Sequence, residues 1–125
     1  GPDKIALITD SMRGAGMPDG TSILGSVKDG QPVIIEDGVA KLPDRSAFAG
    51  SVATADRLVR TMIQVAEVPL VDAIKMMTET PAKIIGIDRD KGKISIGMDA
   101  DLVLFDENIN IKMTVVNGSV VYNDL

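Results

Sequence analysis

The 125-residue chain contains no cysteine, no histidine and no tryptophan, and its only aromatic side chains are Phe48, Phe105 and Tyr122. Without cysteine there is no disulfide framework, no thiolate metal site and no cysteine nucleophile, which is compatible with cytoplasmic residence. Without histidine, the commonest metal ligand and general base is missing, so Ser-His-Asp and histidine-rich zinc sites are excluded within the chain. Three aromatics leave little for stacking on bases, and the net charge of −5 opposes a phosphate backbone. The opening residues do not read as a signal peptide, so none is expected, and no apolar run reaches the roughly 20 residues a membrane helix needs. What remains is 45% apolar and 25% charged, the balance of a globular chain. Its core must be built from Val, Ile, Leu, Ala and seven Met.

The order of elements can be read from the patterning. Lys4–Asp10 is an apolar run closed by a carboxylate, which predicts a buried strand. Such a strand needs cover on both faces, as in parallel α/β sheets, and no parallel neighbour is apparent. A glycine-rich loop over Met12–Gly20 leads to a meander: strands near Ile23–Val27, Pro32–Glu36 and Val39–Leu42, punctuated by Asp29-Gly30 and Asp37-Gly38. After a loop from Pro43 to Gly50, Ser51 is the expected N-cap of a helix carrying Val52, Ala55, Leu58, Val59, Met62 and Ala66 at helical spacing. Pro69 opens a second helix, and Thr80-Pro81 a short third one that ends near Gly86. The tail returns to strands at Asp101–Phe105, Ile111–Val116 and Ser119–Tyr122, the last two joined by Asn117-Gly118.

Few residues offer chemistry. Asp10 closes a strand before a glycine-rich loop, the position at which α/β folds place functional groups; an Asp that merely caps the next turn fits the same pattern. Arg13–Gly20 lacks the GK[ST] of a phosphate-binding loop. Phe48-Ala49-Gly50-Ser51 precedes a helix start, where free N–H groups can meet a polar ligand. Asp99, Asp101, Asp106 and Glu107 lack EF-hand spacing and read as solvated turns.

The run Lys91-Gly-Lys-Ile-Ser-Ile-Gly-Met-Asp-Ala-Asp-Leu-Val-Leu-Phe-Asp106 resembles the signature G-x-I-x-x-G-x-x-A-D-L-V-x-x-D near the C-terminus of amidohydrolases. Thr80-Pro-Ala-Lys-Ile-Ile-Gly-Ile87 is similar to the helix that precedes it, with Thr80 in place of the usual Asn, and Val115–Tyr122 to the terminal hairpin. Leu7–Met12, Gly16–Gly20, Phe48–Ser51 and Asp56-Arg57 resemble, more narrowly, the N-acetylglucosamine-6-phosphate deacetylase family.

The resemblance implies an α/β fold: the C-terminal part of an amidohydrolase (β/α)8 barrel (residues 1–86, with Lys4–Asp10 as the eighth barrel strand) and the terminal strands of its small β-sandwich (87–125). It implies a parent enzyme that hydrolyses N-acetylglucosamine 6-phosphate to glucosamine 6-phosphate and acetate in amino-sugar metabolism. In that enzyme a divalent metal, Zn or Fe, activates a water, with Asp10 as general base and acid. Phe48, Ala49 and Gly50 align with a loop whose backbone contacts the amino sugar. The family's metal ligands and most sugar-phosphate contacts lie upstream, so this chain alone is expected to be inactive and to bind no metal. A homodimer is expected for the parent, and self-association through exposed strand edges for the chain itself. An amidohydrolase acting on another N-acyl or cyclic amide substrate, or a non-catalytic binding or assembly module, are the rival readings.

Overall fold

A computed structural model describes all residues, 1–125. The chain is a mixture of short helices and antiparallel strands, divided into two units: Ile8–Arg57, and Gly1–Leu7 together with Leu58–Leu125.

The Ile8–Arg57 unit is built on a meander of β1 (Gly20–Leu24), β2 (Gln31–Glu36) and β3 (Val39–Lys41). Alternation on β2 sends Val33 and Ile35 inward, and Ala40 faces Ile35 across the β2–β3 ladder. These three, with Ala49 from the following loop, are the buried apolar residues of the unit. Asp37 and Gly38 both take positive φ (54° and 71°), the two-residue turn whose twist matches a tight hairpin. Between β1 and β2, Gly30 donates its N–H to the Ser26 carbonyl, and a Cβ there would lie 2.3 Å from that oxygen, so only glycine closes this turn.

The second unit carries α1 (Ala55–Gln64, whose first turn belongs to the other unit), α2 (Leu70–Met77), α3 (Glu79–Ile85), β4 (Leu102–Phe105), β5 (Ile111–Val116) and β6 (Ser119–Asn123). Val59 on α1, Ala73 on α2 and Ile109 from the β4–β5 loop form its core, with Met62, Ile63, Val68, Ile74, Met77 and Phe105 packed around them. Asn117 and Gly118 turn at φ 47° and 77° between β5 and β6, as their dipeptide predicts. Gly86 ends α3 in the left-handed conformation, where Ile87 N–H reaches back to the Ala82 carbonyl. No helix is long and apolar enough to cross a membrane.

Three local expectations are corrected. Lys4–Asp10 is not part of a sheet: Pro2–Lys4 is a 3-10 turn, and the run beyond it has no ladder partner. A strand exists through its neighbours' hydrogen bonds, and this chain supplies only a single tie there, Leu7 N–H to the Met76 carbonyl. Ser51 does not cap α1, which starts at Ala55; its hydroxyl instead accepts Ala53 N–H two residues on, a local bond that competes with helix. Thr80 lies inside the first turn of α3 rather than at its cap, buried, with its hydroxyl donated to the Pro2 carbonyl.

Candidate functional site

The structure brings both sequence-predicted site segments together within the Ile8–Arg57 unit. Ser11 and Ser51 form an isolated parallel bridge, in which Met12 N–H donates to the Ser51 carbonyl at 2.9 Å. The Ser11 hydroxyl adds a bond to the Ala53 carbonyl. The segment that carries Asp10 is therefore laid alongside the segment that carries Phe48, Ala49 and Gly50.

Asp10 itself is exposed, and its backbone is left-handed at φ 45°. Aspartate tolerates this region better than most residues, at a typical cost of about 1–2 kcal/mol for an L-residue. The two bonds on Ser11 and Met12, directly downstream, hold the chain in that bend.

The second segment is pinned from both sides. Phe48 bridges Lys41 in antiparallel register, and Ala49 N–H donates to the Ala40 carbonyl at 2.8 Å. Gly50 takes φ 93°, and a Cβ on it would sit 3.2 Å from Leu24 Cδ1 and 3.3 Å from Met12 Cγ. Both backbone angle and space require glycine there. Ala49 is buried, whereas Phe48 holds 77% of its surface in the open.

An ion-paired cluster braces the start of this loop. The Arg45 guanidinium grips both Glu36 oxygens, Nε to Oε1 at 2.8 Å and Nη2 to Oε2 at 3.0 Å, and Lys41 Nζ reaches Glu36 Oε1 at 3.1 Å. Hydrogen bonds from Arg45, then from Lys41, hold the Glu36 carboxyl down at about 2. Arg45 is left-handed (φ 60°) in the turn closed by Leu42 N–H on the Ala47 carbonyl.

A pH dependence follows. Glu36 titrates near 4.5 in an unfolded chain and at about 2 when folded, so unfolding takes up a proton between these values. The stabilisation from this cluster is whole above pH 4.5 and is lost as the pH falls towards 2. Amide exchange at Leu42 and Ala49 should accelerate, relative to the intrinsic rate, as the pH falls through that window. In Glu36→Gln the added acceleration should vanish and the loop should be looser at neutral pH; an unchanged pH profile in that variant would refute the assignment.

The structure contains no group of three or more His, Cys, Asp or Glu side chains that could hold a metal ion. Asp10 therefore belongs to no such group, and these residues alone do not fit a metal. The sequence singles out Asp10 and Phe48–Gly50 as candidates but not what joins them. The Ser11–Ala53 bond spans 42 positions, and nothing local encodes it.

Comparison with known proteins places these features in context. The amidohydrolase family profile matches residues 5–121. The N-acetylglucosamine-6-phosphate deacetylase of Lysinibacillus sphaericus is 38% identical over 120 residues, covering 96% of this chain and 30% of its own length. A protein of Escherichia coli K12, provisionally named an N-acetylgalactosamine-6-phosphate deacetylase, is 33% identical, with 93% of this chain and 66% of its own length covered. Among solved structures, N-acetylglucosamine-6-phosphate deacetylase from Pasteurella multocida superposes with a TM-score of 0.86 at 29% identity, over 97% of this chain and 31% of that one. The chain thus spans about a third or less of the full-length deacetylases.

Proposed function

The chain belongs to the amidohydrolase family, and from that premise we propose that the full-length protein is a carbohydrate deacetylase hydrolysing N-acetylglucosamine 6-phosphate to glucosamine 6-phosphate and acetate. The observation that carries this reading is the parallel tie at Ser11 and Ser51, which sets Asp10 beside the Phe48–Gly50 loop.

Asp10 acts as the proton carrier. Its carboxylate takes a proton from the water that attacks the acetyl carbonyl. As the tetrahedral intermediate collapses and the C–N bond breaks, the same proton passes to the leaving amine. The backbone of Phe48, Ala49 and Gly50 approaches the amino sugar, where glycine lets the main chain come close. Members of this family are generally metal-dependent; when bound, a divalent ion such as zinc or iron makes water more acidic and polarises a carbonyl. Its ligands belong, in this proposal, to the rest of the full-length protein, and the chain in isolation is inactive.

The architecture follows the same reading. Residues 1–86 are assigned to the closing part of a (β/α)8 barrel, with Lys4–Asp10 becoming its eighth strand once neighbours are present. Residues 87–125 are assigned to a small β-sandwich. The exposed apolar residues Val103, Leu104, Val116, Val120, Val121 and Tyr122 on β4–β6 support a partner layer for that sheet. The parent is proposed to be a cytoplasmic homodimer, and the chain alone to self-associate through these faces.

A second substrate is favoured by one relative, the Escherichia coli protein named for the galactosamine sugar. Both sugars should be offered to the full-length protein. The leading reading expects kcat/KM to favour N-acetylglucosamine 6-phosphate over N-acetylgalactosamine 6-phosphate; the reverse order would move the assignment to the epimer, and hydrolysis of neither would sink it.

A further inference from the structure

We propose that Thr80 is a positioning residue for Asp10: its hydroxyl, bonded to the Pro2 carbonyl, fixes the start of the segment that carries the aspartate. This rests on the deacetylase reading above.

The grip is built where α2 meets α3. Thr80, in the first turn of α3, is the one buried polar residue of the chain, 2% exposed. A hydroxyl taken out of water is costly unless it is hydrogen-bonded, and this one donates to Pro2, 78 residues away, at 2.6 Å. Two further ties hold the same stretch. The Lys75 ammonium meets Asp3 Oδ1 at 2.6 Å. The Met76 carbonyl, one of those the end of α2 leaves unpaired, accepts the Leu7 N–H at 2.9 Å. The ion pair is the weaker partner, because the Asp3 side chain is 64% exposed and water screens it. All three contacts are made within the chain, so they do not depend on which surfaces the rest of the full-length protein covers.

The consequence reaches Asp10 along the backbone. Pro2, Asp3 and Leu7 are held upstream of it, and Ser11 and Met12 are held downstream by the Ala53 and Ser51 carbonyls. Only Ile8 and Thr9 separate Leu7 from Asp10. Asp10 keeps a left-handed φ of 45°, a bend that persists only while the chain on both sides is fixed. Proton transfer is sensitive to such placement: a shift of about 1 Å can cost 10²-fold in rate. Freeing Pro2 releases the upstream end, so the loss falls on kcat rather than on sugar binding.

The test uses the full-length, metal-loaded protein and N-acetylglucosamine 6-phosphate. Thr80→Val keeps the shape of the side chain and removes the hydroxyl; kcat should fall about tenfold, with KM changed less than about twofold. Thr80→Ser, which keeps the hydroxyl, should recover most of kcat. In the Asp10→Asn background, Thr80→Val should leave the slow residual rate as it is, because a residue that acts through Asp10 has nothing left to position.

An unchanged kcat in Thr80→Val overturns the proposal. So does a fall that recurs in full in the Asp10→Asn background, since that marks a general loosening of the fold. If Thr80→Val does not fold, Thr80→Ser and Thr80→Ala, which differ by the hydroxyl alone, carry the same comparison. The serine variant should then turn over about tenfold faster, and equal rates overturn the proposal. Failure of the unaltered protein to hydrolyse this sugar would refute the deacetylase reading itself, before any variant is compared.

Discussion

Replacing Asp10 by Asn in the full-length protein should lower kcat by about 10²–10⁴-fold, the usual contribution of a positioned general acid–base group. Substrate affinity should change far less, because the amide keeps the shape and hydrogen-bonding reach of the carboxylate but cannot carry the proton. Asparagine also tolerates the left-handed φ of 45° that Asp10 occupies, so the variant should fold without added strain. Single-turnover assays with calorimetric binding separate the two quantities. A fall in affinity with kcat preserved would make Asp10 a binding group; no change in either would remove it from the site.

The second large effect should come from a residue with no part in the chemistry. Arg60 on α1 donates from Nε to the Asn108 carbonyl at 3.0 Å and from Nη2 to the Ile109 carbonyl at 2.9 Å. Ile109 is buried against Val59 and Ala73, yet its φ is 61°, a conformation that a β-branched side chain resists. Asp106 holds the same loop from the other side, its Oδ1 accepting the N–H groups of Asn108 and Asn110, both at 2.9 Å. The bend therefore depends on two polar clamps. Arg60→Ala leaves two carbonyls without their charged donor, a loss of about 1.5–3 kcal/mol. Amide exchange at Ile109 and Asn110 should rise accordingly. Lys at this position should recover little, because a single ammonium cannot match the planar fork. Full protection in Arg60→Ala would show that Ile109 packing and the Asp106 bonds hold the loop without the guanidinium.

Local patterning explains why some of this was legible from the sequence. Asp29-Gly30 and Asp37-Gly38 bracketed β2, Pro69 marked the start of α2, and Asn117-Gly118 announced its hairpin, because each of these features is decided by neighbours a few residues away. Lys4–Asp10 forms no strand in this chain for the converse reason. Its apolar run asks for a sheet, and the strands that would complete one are not in this chain. Ser51 has the residue type of a helix cap but its hydroxyl closes a local turn, and Thr80 sits at the second position of α3, where the Pro2 carbonyl 78 residues away accepts its hydroxyl.

The candidate site divides along the same line. Asp10 and Phe48–Gly50 stood out by residue type and by resemblance. The need for glycine at position 50 comes from its φ and from the approach of Leu24 and Met12, which only the tertiary structure shows. The Ser11–Ser51 bridge and the Glu36–Arg45 brace are products of tertiary structure. They matter because they convert two separate sequence signals into one place.

The most direct test of the central claim is product analysis with the purified full-length protein, loaded with zinc or iron, on N-acetylglucosamine 6-phosphate at neutral pH. The account predicts acetate and glucosamine 6-phosphate released in equal amounts, and Asp10→Asn leaving the substrate bound but intact. Substrate that remains intact under those conditions, or acetate released as fast by Asp10→Asn as by the unaltered protein, would contradict it.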